Sequence, residues 1–139
     1  MNFTEKSNSL EDTRDIAFKM SKQITDSEVI FLKGDLGAGK TTFVGFLAEA
    51  LGCEEKVSSP TFTVMNTYGW GEKQILHFDL YRIKSVEELE QTGFFEYMES
   101  EGVKVIEWAD KFNLKEYFAD VLEIDIINTN EERLFCIKK

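Results

Sequence analysis

Nine consecutive residues, Gly34, Asp35, Leu36, Gly37, Ala38, Gly39, Lys40, Thr41 and Thr42, match the phosphate-binding pattern G-x-x-x-x-G-K-[ST]. The pattern carries weight only between a strand and a helix, and both neighbours read that way. Val29, Ile30, Phe31 and Leu32 form a short apolar run, while Thr41–Leu51 sets Phe43, Val44, Leu47, Ala50 and Leu51 on one helical face before Gly52. Gly34, Gly37 and Gly39 can take backbone angles closed to other residues, so successive N–H groups can turn inward around phosphate oxygens. The first turn of the helix adds its own unpaired N–H groups and its positive dipole end. Lys40 is then placed for the β- and γ-phosphates and the Thr41 hydroxyl for Mg²⁺. These features predict a nucleoside triphosphate site.

Length and composition narrow the setting. With 139 residues, 42% of them hydrophobic and 30% charged, the chain suits one globular domain spanning 1–139. No run approaches the roughly 18 apolar residues of a membrane span, and the polar start Met1–Ser9 lacks the apolar stretch of a secretory signal. Cys53 and Cys136 are isolated and His77 is the single histidine, so neither a zinc site nor a disulfide framework is expected, and a reducing cytoplasm fits. The net charge of −10 is uneven: residues 84–132 hold 14 acidic and 4 basic side chains. Extensive direct binding to nucleic acid needs a basic surface, which this sequence does not offer. The acidic half reads either as a solvated face or as a surface for a protein partner.

Along the chain, Ser9-Leu10-Glu11-Asp12 resembles a capping box, and Ile16, Ala17, Met20 and Ile24 recur at helical spacing after it. Beyond the phosphate loop, Thr61–Trp70 and Gln74–Tyr81 read as a hairpin across a turn at Gly69–Lys73. Short helices are predicted from Ser85 toward Leu89, over Phe94–Ser100 and over Lys111–Phe118. Val103–Trp108 reads as a strand, and Val121–Asn128 with Arg133–Lys138 as a closing hairpin. Helices alternating with strands argue for a layered α/β domain, while the hairpins demand antiparallel pairing, so the sheet should be mixed.

Two carboxylates end apolar strands, Asp79 after Ile75–Phe78 and Glu107 after Val103–Ile106. Facing the loop, one could hold the metal while the other orients an attacking water; sequence alone leaves those roles unassigned. Ser58-Ser59-Pro60-Thr61-Phe62 occupies the position of a switch segment, with Thr61 as a γ-phosphate sensor or as part of a simple turn.

In order, the phosphate loop, Ser59-Pro60-Thr61-Phe62, His77-Phe78-Asp79-Leu80-Tyr81-Arg82, Gly93-Phe94-Phe95-Glu96-Tyr97 and Ile106-Glu107-Trp108 resemble the TsaE family over nearly the whole chain. These are small bacterial ATPases of tRNA threonylcarbamoyladenosine biosynthesis. The resemblance implies a three-layer P-loop NTPase-like domain that hydrolyses ATP with Mg²⁺ and works with the TsaB and TsaD proteins. It further implies that Lys40 binds phosphate, that Thr41 and Glu107 hold Mg²⁺, that Asp79 supports hydrolysis and that Thr61 acts as a switch. The resemblance would set Trp108 beside the site and Arg133 close to the nucleotide; on the residues alone Trp108 fits a core position, and Arg133 an exposed hairpin charge, equally well. Ala109 stands where a proline commonly follows the Glu-Trp pair, a departure that leaves the carboxylate in place.

Other classes are weaker. A small-molecule kinase usually closes arginine-bearing lids over phosphates, and only Arg14, Arg82 and Arg133 occur here. No Asn-Lys-x-Asp segment is present to read guanine. A nucleotide-gated binding module, in which ATP occupancy alone sets partner affinity, is compatible with the same motifs.

Overall fold

The computed structural model describes residues 2–35, 37–53, 56–60 and 64–139. Among them seven strands form one sheet: β1 (Asn2–Ser7), β2 (Val29–Gly34), β3 (Met65–Tyr68), β4 (Ile75–Asp79), β5 (Val103–Glu107), β6 (Leu122–Asn128) and β7 (Arg133–Lys138). Their spatial order is β1-β7-β6-β2-β5-β4-β3. The four central strands β6, β2, β5 and β4 are mutually parallel, and antiparallel pairs flank them on both sides, β7 and β1 beyond β6 and β3 beyond β4. The expected mixed sheet is therefore present.

Strands β2, β4 and β5 are largely apolar because helices cover both faces, whereas β6 alternates, with Glu123 and Asp125 on its less buried face. Every residue of β4 and β5 is buried. Successive side chains of a strand point to opposite faces, and β2 divides accordingly. Ile30 and Leu32 meet α1 (Leu10–Ser21) and α2 (Lys40–Ala50) through Ile16, Ala17, Met20, Phe43, Val44 and Leu47. Phe31 faces the other way, into a second cluster with Phe78, Ile106, Leu89 of α3 (Val86–Gln91) and Phe94 of α4 (Phe94–Tyr97). The result is the layered α/β arrangement anticipated from the alternation of elements, with the three layers that the resemblance implied.

Local signals hold at both long helices. The Ser9 side chain accepts from the Asp12 N–H, and Asp12 accepts in turn from the Asn8 N–H, so two otherwise unpaired donors are satisfied at the start of α1. Helix α2 starts at Lys40, with Gly39 as its cap at φ 102°, a conformation that disfavours any side chain there.

Three features differ from the sequence reading. Strand β1 falls in the stretch read only as a polar start; its sole large apolar residue is Phe3, and its extended state comes from six paired positions along β7, from Asn2↔Lys138 to Ser7↔Arg133. Helix α1 stops at Ser21, so Ile24 packs on the core from outside it. Lys111–Phe118 is no single helix but part of two 3-10 turns, Ala109–Phe112 and Leu114–Tyr117, because Asn113 between them is left-handed at φ 53°. Residues 61–63 of the expected first hairpin strand lie outside the described residues.

The antiparallel flank is anchored by Phe135, fully buried on β7 with its ring 5.4 Å from that of Phe43 on α2. Phe135→Ala should lower unfolding free energy by about 3–5 kcal/mol, measured by urea denaturation, through lost burial and the cavity left behind.

Candidate functional site

The carboxyl ends of β2, β5 and β4 lie side by side, and the strand register sets what gathers there. Leu32 and Asp79 each pair with Glu107, so Asp79 and Glu107 end adjacent strands at the same level. Alternation turns His77 and Asp79 of β4, and Glu107 of β5, to the face on which α2 and its preceding loop pack. In parallel α/β sheets this crevice beyond the strand ends is where ligands bind.

The loop between β2 and α2 is shaped by close approaches. A Cβ on Gly34 would lie 3.0 Å from the Ile126 carbonyl oxygen and 3.1 Å from the Ala38 Cβ. A Cβ on Gly39 would stand 3.0 Å from Nη1 of Arg133, whose guanidinium therefore rests against the loop. Asn128 joins the two, its Nδ2 donating to the Gly37 carbonyl at 3.4 Å while its Oδ1 accepts from Arg133 Nε at 3.3 Å. Ala38 is buried and Asp35 exposed.

At the centre is a buried charged group. Lys40 Nζ lies 3.2 Å from Glu107 Oε1, and His77 Nε2 lies 2.6 Å from Glu107 Oε2. Burial alone pushes the Glu107 carboxyl up, but the His77 hydrogen bond and the Lys40 charge outweigh it and hold it below the usual carboxylate range. Asp79, also buried, accepts from the Tyr81 N–H at 2.9 Å through Oδ1. Trp108 adopts the left-handed region at φ 62°, which turns its ring out beside the loop, 5.5 Å from Lys40 Nζ and 5.1 Å from the Tyr81 ring.

The chain segments behind these residues are tied together. Leu80 N–H donates to the Glu107 carbonyl, and Lys111 Nζ reaches the carbonyls of Leu80, Tyr81 and Ile83 at 3.3, 2.7 and 2.7 Å. The stretches following Asp79 and Glu107 are thus joined by one ammonium group.

A cleft of about 740 Å³ opens over this assembly, lined by Asp35, Gly37 and Gly39 of the loop and the first turn of α2 together with Asp79, Glu107, Trp108 and Arg133. It brings together the expected residues Gly37, Gly39, Lys40, Thr41, Thr42, Asp79, Glu107 and Arg133, and Trp108 is 38% exposed rather than a core residue. Leu36 and Thr61 lie outside the described residues. The donor set suits a magnesium-bound triphosphate: a hydroxyl at Thr41, a carboxylate at Glu107, and a cation at Lys40 that could exchange Glu107 for phosphate. Among the described residues no group of three or more His, Cys, Asp or Glu gathers to hold a metal by itself, so phosphate oxygens and water would have to complete its coordination. Sequence reading passed over His77 and Lys111. Position 77, two residues before Asp79 on the same strand face, was the available sign for the first; Lys111 acts across 28 to 31 positions in sequence and leaves none.

A mixed, largely parallel sheet with a glycine-rich loop joining its central strand to a covering helix defines the P-loop class of α/β domains. A family model described as threonylcarbamoyl adenosine biosynthesis protein TsaE matches residues 7–135, and the chain belongs to this family. It is 37% identical to the Aquifex aeolicus protein named tRNA threonylcarbamoyladenosine biosynthesis protein TsaE, over 93% of this chain and 91% of that one. A Bacillus subtilis protein of the same name is 42% identical, over 71% of this chain and 61% of the relative. The crystal structure of Bacillus subtilis YdiB superposes with a TM-score of 0.72 at 29% identity, covering 99% of this chain and 84% of that one.

The lowered Glu107 ionisation has a consequence for stability. Because the native carboxylate resists protonation more than the unfolded one, its contribution is present at neutral pH and is lost as pH falls from the usual carboxylate value through the native one. Urea unfolding of the protein and of Glu107→Gln should therefore show a stability difference that is constant near neutral pH and shrinks only as pH falls below the usual carboxylate value.

Proposed function

We propose that the chain is a cytoplasmic, Mg²⁺-dependent ATP hydrolase whose turnover sustains repeated threonylcarbamoyl transfer to tRNA by the TsaB and TsaD proteins. Family membership supports a role in tRNA threonylcarbamoyladenosine biosynthesis. The observation that carries the hydrolytic part is the pairing of partly buried Lys40 with buried Glu107, 3.2 Å apart beneath the loop, with Asp79 in register beside Glu107.

In this reading the loop N–H groups and Lys40 hold the triphosphate, and Arg133 supplies a second positive charge from β7. Thr41 and Glu107 would hold Mg²⁺, which when bound offsets phosphate charge as the transfer proceeds. Asp79 orients a water for in-line attack on the γ-phosphorus. The new P–O bond forms as the bond to the β-phosphate oxygen breaks, and ADP and inorganic phosphate leave. A site made chiefly of positioned charges acts by orientation and electrostatics.

The acidic stretch from 84 to 132 agrees with work done through partner proteins, since gripping tRNA phosphates would need the opposite charge. Among the described residues no helix is long and apolar enough to cross a membrane.

Reconstitution with purified TsaB and TsaD proteins, threonylcarbamoyl donor and tRNA tests the proposal. Lys40→Ala should stop modification after about one cycle and reduce ATP hydrolysis by about 100-fold or more. Full multiple turnover by that variant would refute the hydrolytic role. Asp79→Asn separates motor from gate: loss of turnover with ATP binding retained supports hydrolysis, whereas undiminished modification favours a nucleotide-gated binding module.

A further inference from the structure

His77 is completely buried, and a buried imidazole normally uses both ring nitrogens. Here only one is engaged. Nε2 lies 2.6 Å from Glu107 Oε2, while Nδ1 has no hydrogen-bond partner among the described residues. A proton on Nδ1 would be a buried donor with nothing to receive it, so the arrangement suits the tautomer with its proton on Nε2, donating to the carboxylate and leaving Nδ1 as a bare lone pair.

This geometry divides the two carboxylate oxygens. Oε2 is committed to a ring locked inside the sheet, while Oε1 faces the ammonium of Lys40, on a longer and partly exposed side chain, at 3.2 Å. When Lys40 turns to a phosphate, Glu107 loses its cationic partner and keeps His77. Without that donor a carboxylate buried to 3% exposure would be left unpaired when its orientation matters. With it, Oε1 alone is presented toward the loop, as a single-oxygen ligand of fixed direction.

We propose that His77 is a positioning residue for magnesium: its Nε2–H holds Oε2 of Glu107 so that Oε1 is delivered to the metal when Lys40 transfers to the nucleotide. The register supports it. His77 reaches diagonally from β4 to β5, its Cα partner being Val105 rather than Glu107, so the contact is made by side chains that lean toward each other across the strand pair. Outer hydrogen bonds of this kind set ligand direction, and their loss typically lowers metal affinity by about 10- to 100-fold. This inference rests on the Mg²⁺-nucleotide reading of the cleft.

The test uses the full chain carrying Trp70→Phe, which leaves Trp108, beside Lys40, as the fluorescent reporter. Mg²⁺ is titrated at saturating imido-bridged ATP analogue, and the analogue is titrated separately in EDTA. His77→Leu should raise the half-saturating Mg²⁺ concentration by about 10- to 100-fold while leaving the affinity in EDTA unchanged. His77→Gln, whose amide N–H can occupy the place of Nε2–H, should stay within about threefold of the parent, a rescue that simple core packing would not give. If His77→Leu does not fold, His77→Asn, too short to reach Glu107, takes its place. Unchanged Mg²⁺ dependence in the Leu or Asn variant, or a folded Gln variant as impaired as they are, overturns the proposal. Absence of Mg²⁺-nucleotide binding by the Trp70→Phe parent and by the unsubstituted protein alike would instead remove the reading on which it rests.

Discussion

A carboxylate taken out of water must be paired, and Glu107 is the point at which this fold meets that requirement. Its partners arrive from different elements: Lys40 from the first turn of α2 and His77 from β4. The loop, the helix and two central strands are therefore held to one another by charge and hydrogen bonding as well as by apolar packing. Any shift in strand register by one residue would turn Glu107 to the opposite face and leave Lys40 without a buried counter-charge. The same constraint that closes the interior thus fixes the mutual position of the residues proposed to handle phosphate and metal.

What could be read from sequence followed how local each cause is. The phosphate loop, α2 and the central strands announce themselves through glycine spacing, helical periodicity and continuous apolar runs. Asp79 and Glu107 were visible because each terminates such a run. Strand β1 was not, since its residues are polar and its conformation is imposed by the distant strand β7. The two 3-10 turns after Trp108 depend on a left-handed Asn113, a choice that an apparently helical composition conceals. His77 and Lys111 acquire their partners only through tertiary contact. Thr61 carries a sequence-based role that no described contact bears upon.

The two flanks of the sheet serve the cleft differently. On one side β7 brings Arg133 against Gly39, so a hairpin far along the chain closes the wall of the loop. On the other, β3 leads back to β4, where the Asp79 N–H donates to the Val64 carbonyl at 2.8 Å. Val64 precedes β3 with φ 69°, a backbone state that a β-branched side chain rarely adopts. The segment carrying Ser58 is fastened separately: the Tyr68 hydroxyl donates to the Ser58 carbonyl at 2.8 Å and accepts the Ser58 N–H at 3.0 Å. The described ends of the stretch around Thr61 are thereby joined to the sheet on both sides.

Lys111 can be considered in terms of time as well as position. Three carbonyl groups converge on a single ammonium, that of Leu80 accepting the Ile83 N–H as well, so the backbone after Asp79 and the turn after Glu107 are coupled through Lys111. A stretch joined in this way, alternately exposed at Tyr81 and Trp108 and buried at Leu80 and Ile83, opens as one cooperative unit rather than residue by residue. Amide protons that exchange only through that opening would share its free energy, each at its own intrinsic rate. The two acidic strand ends would accordingly keep the same alignment through fluctuations that loosen the surrounding surface.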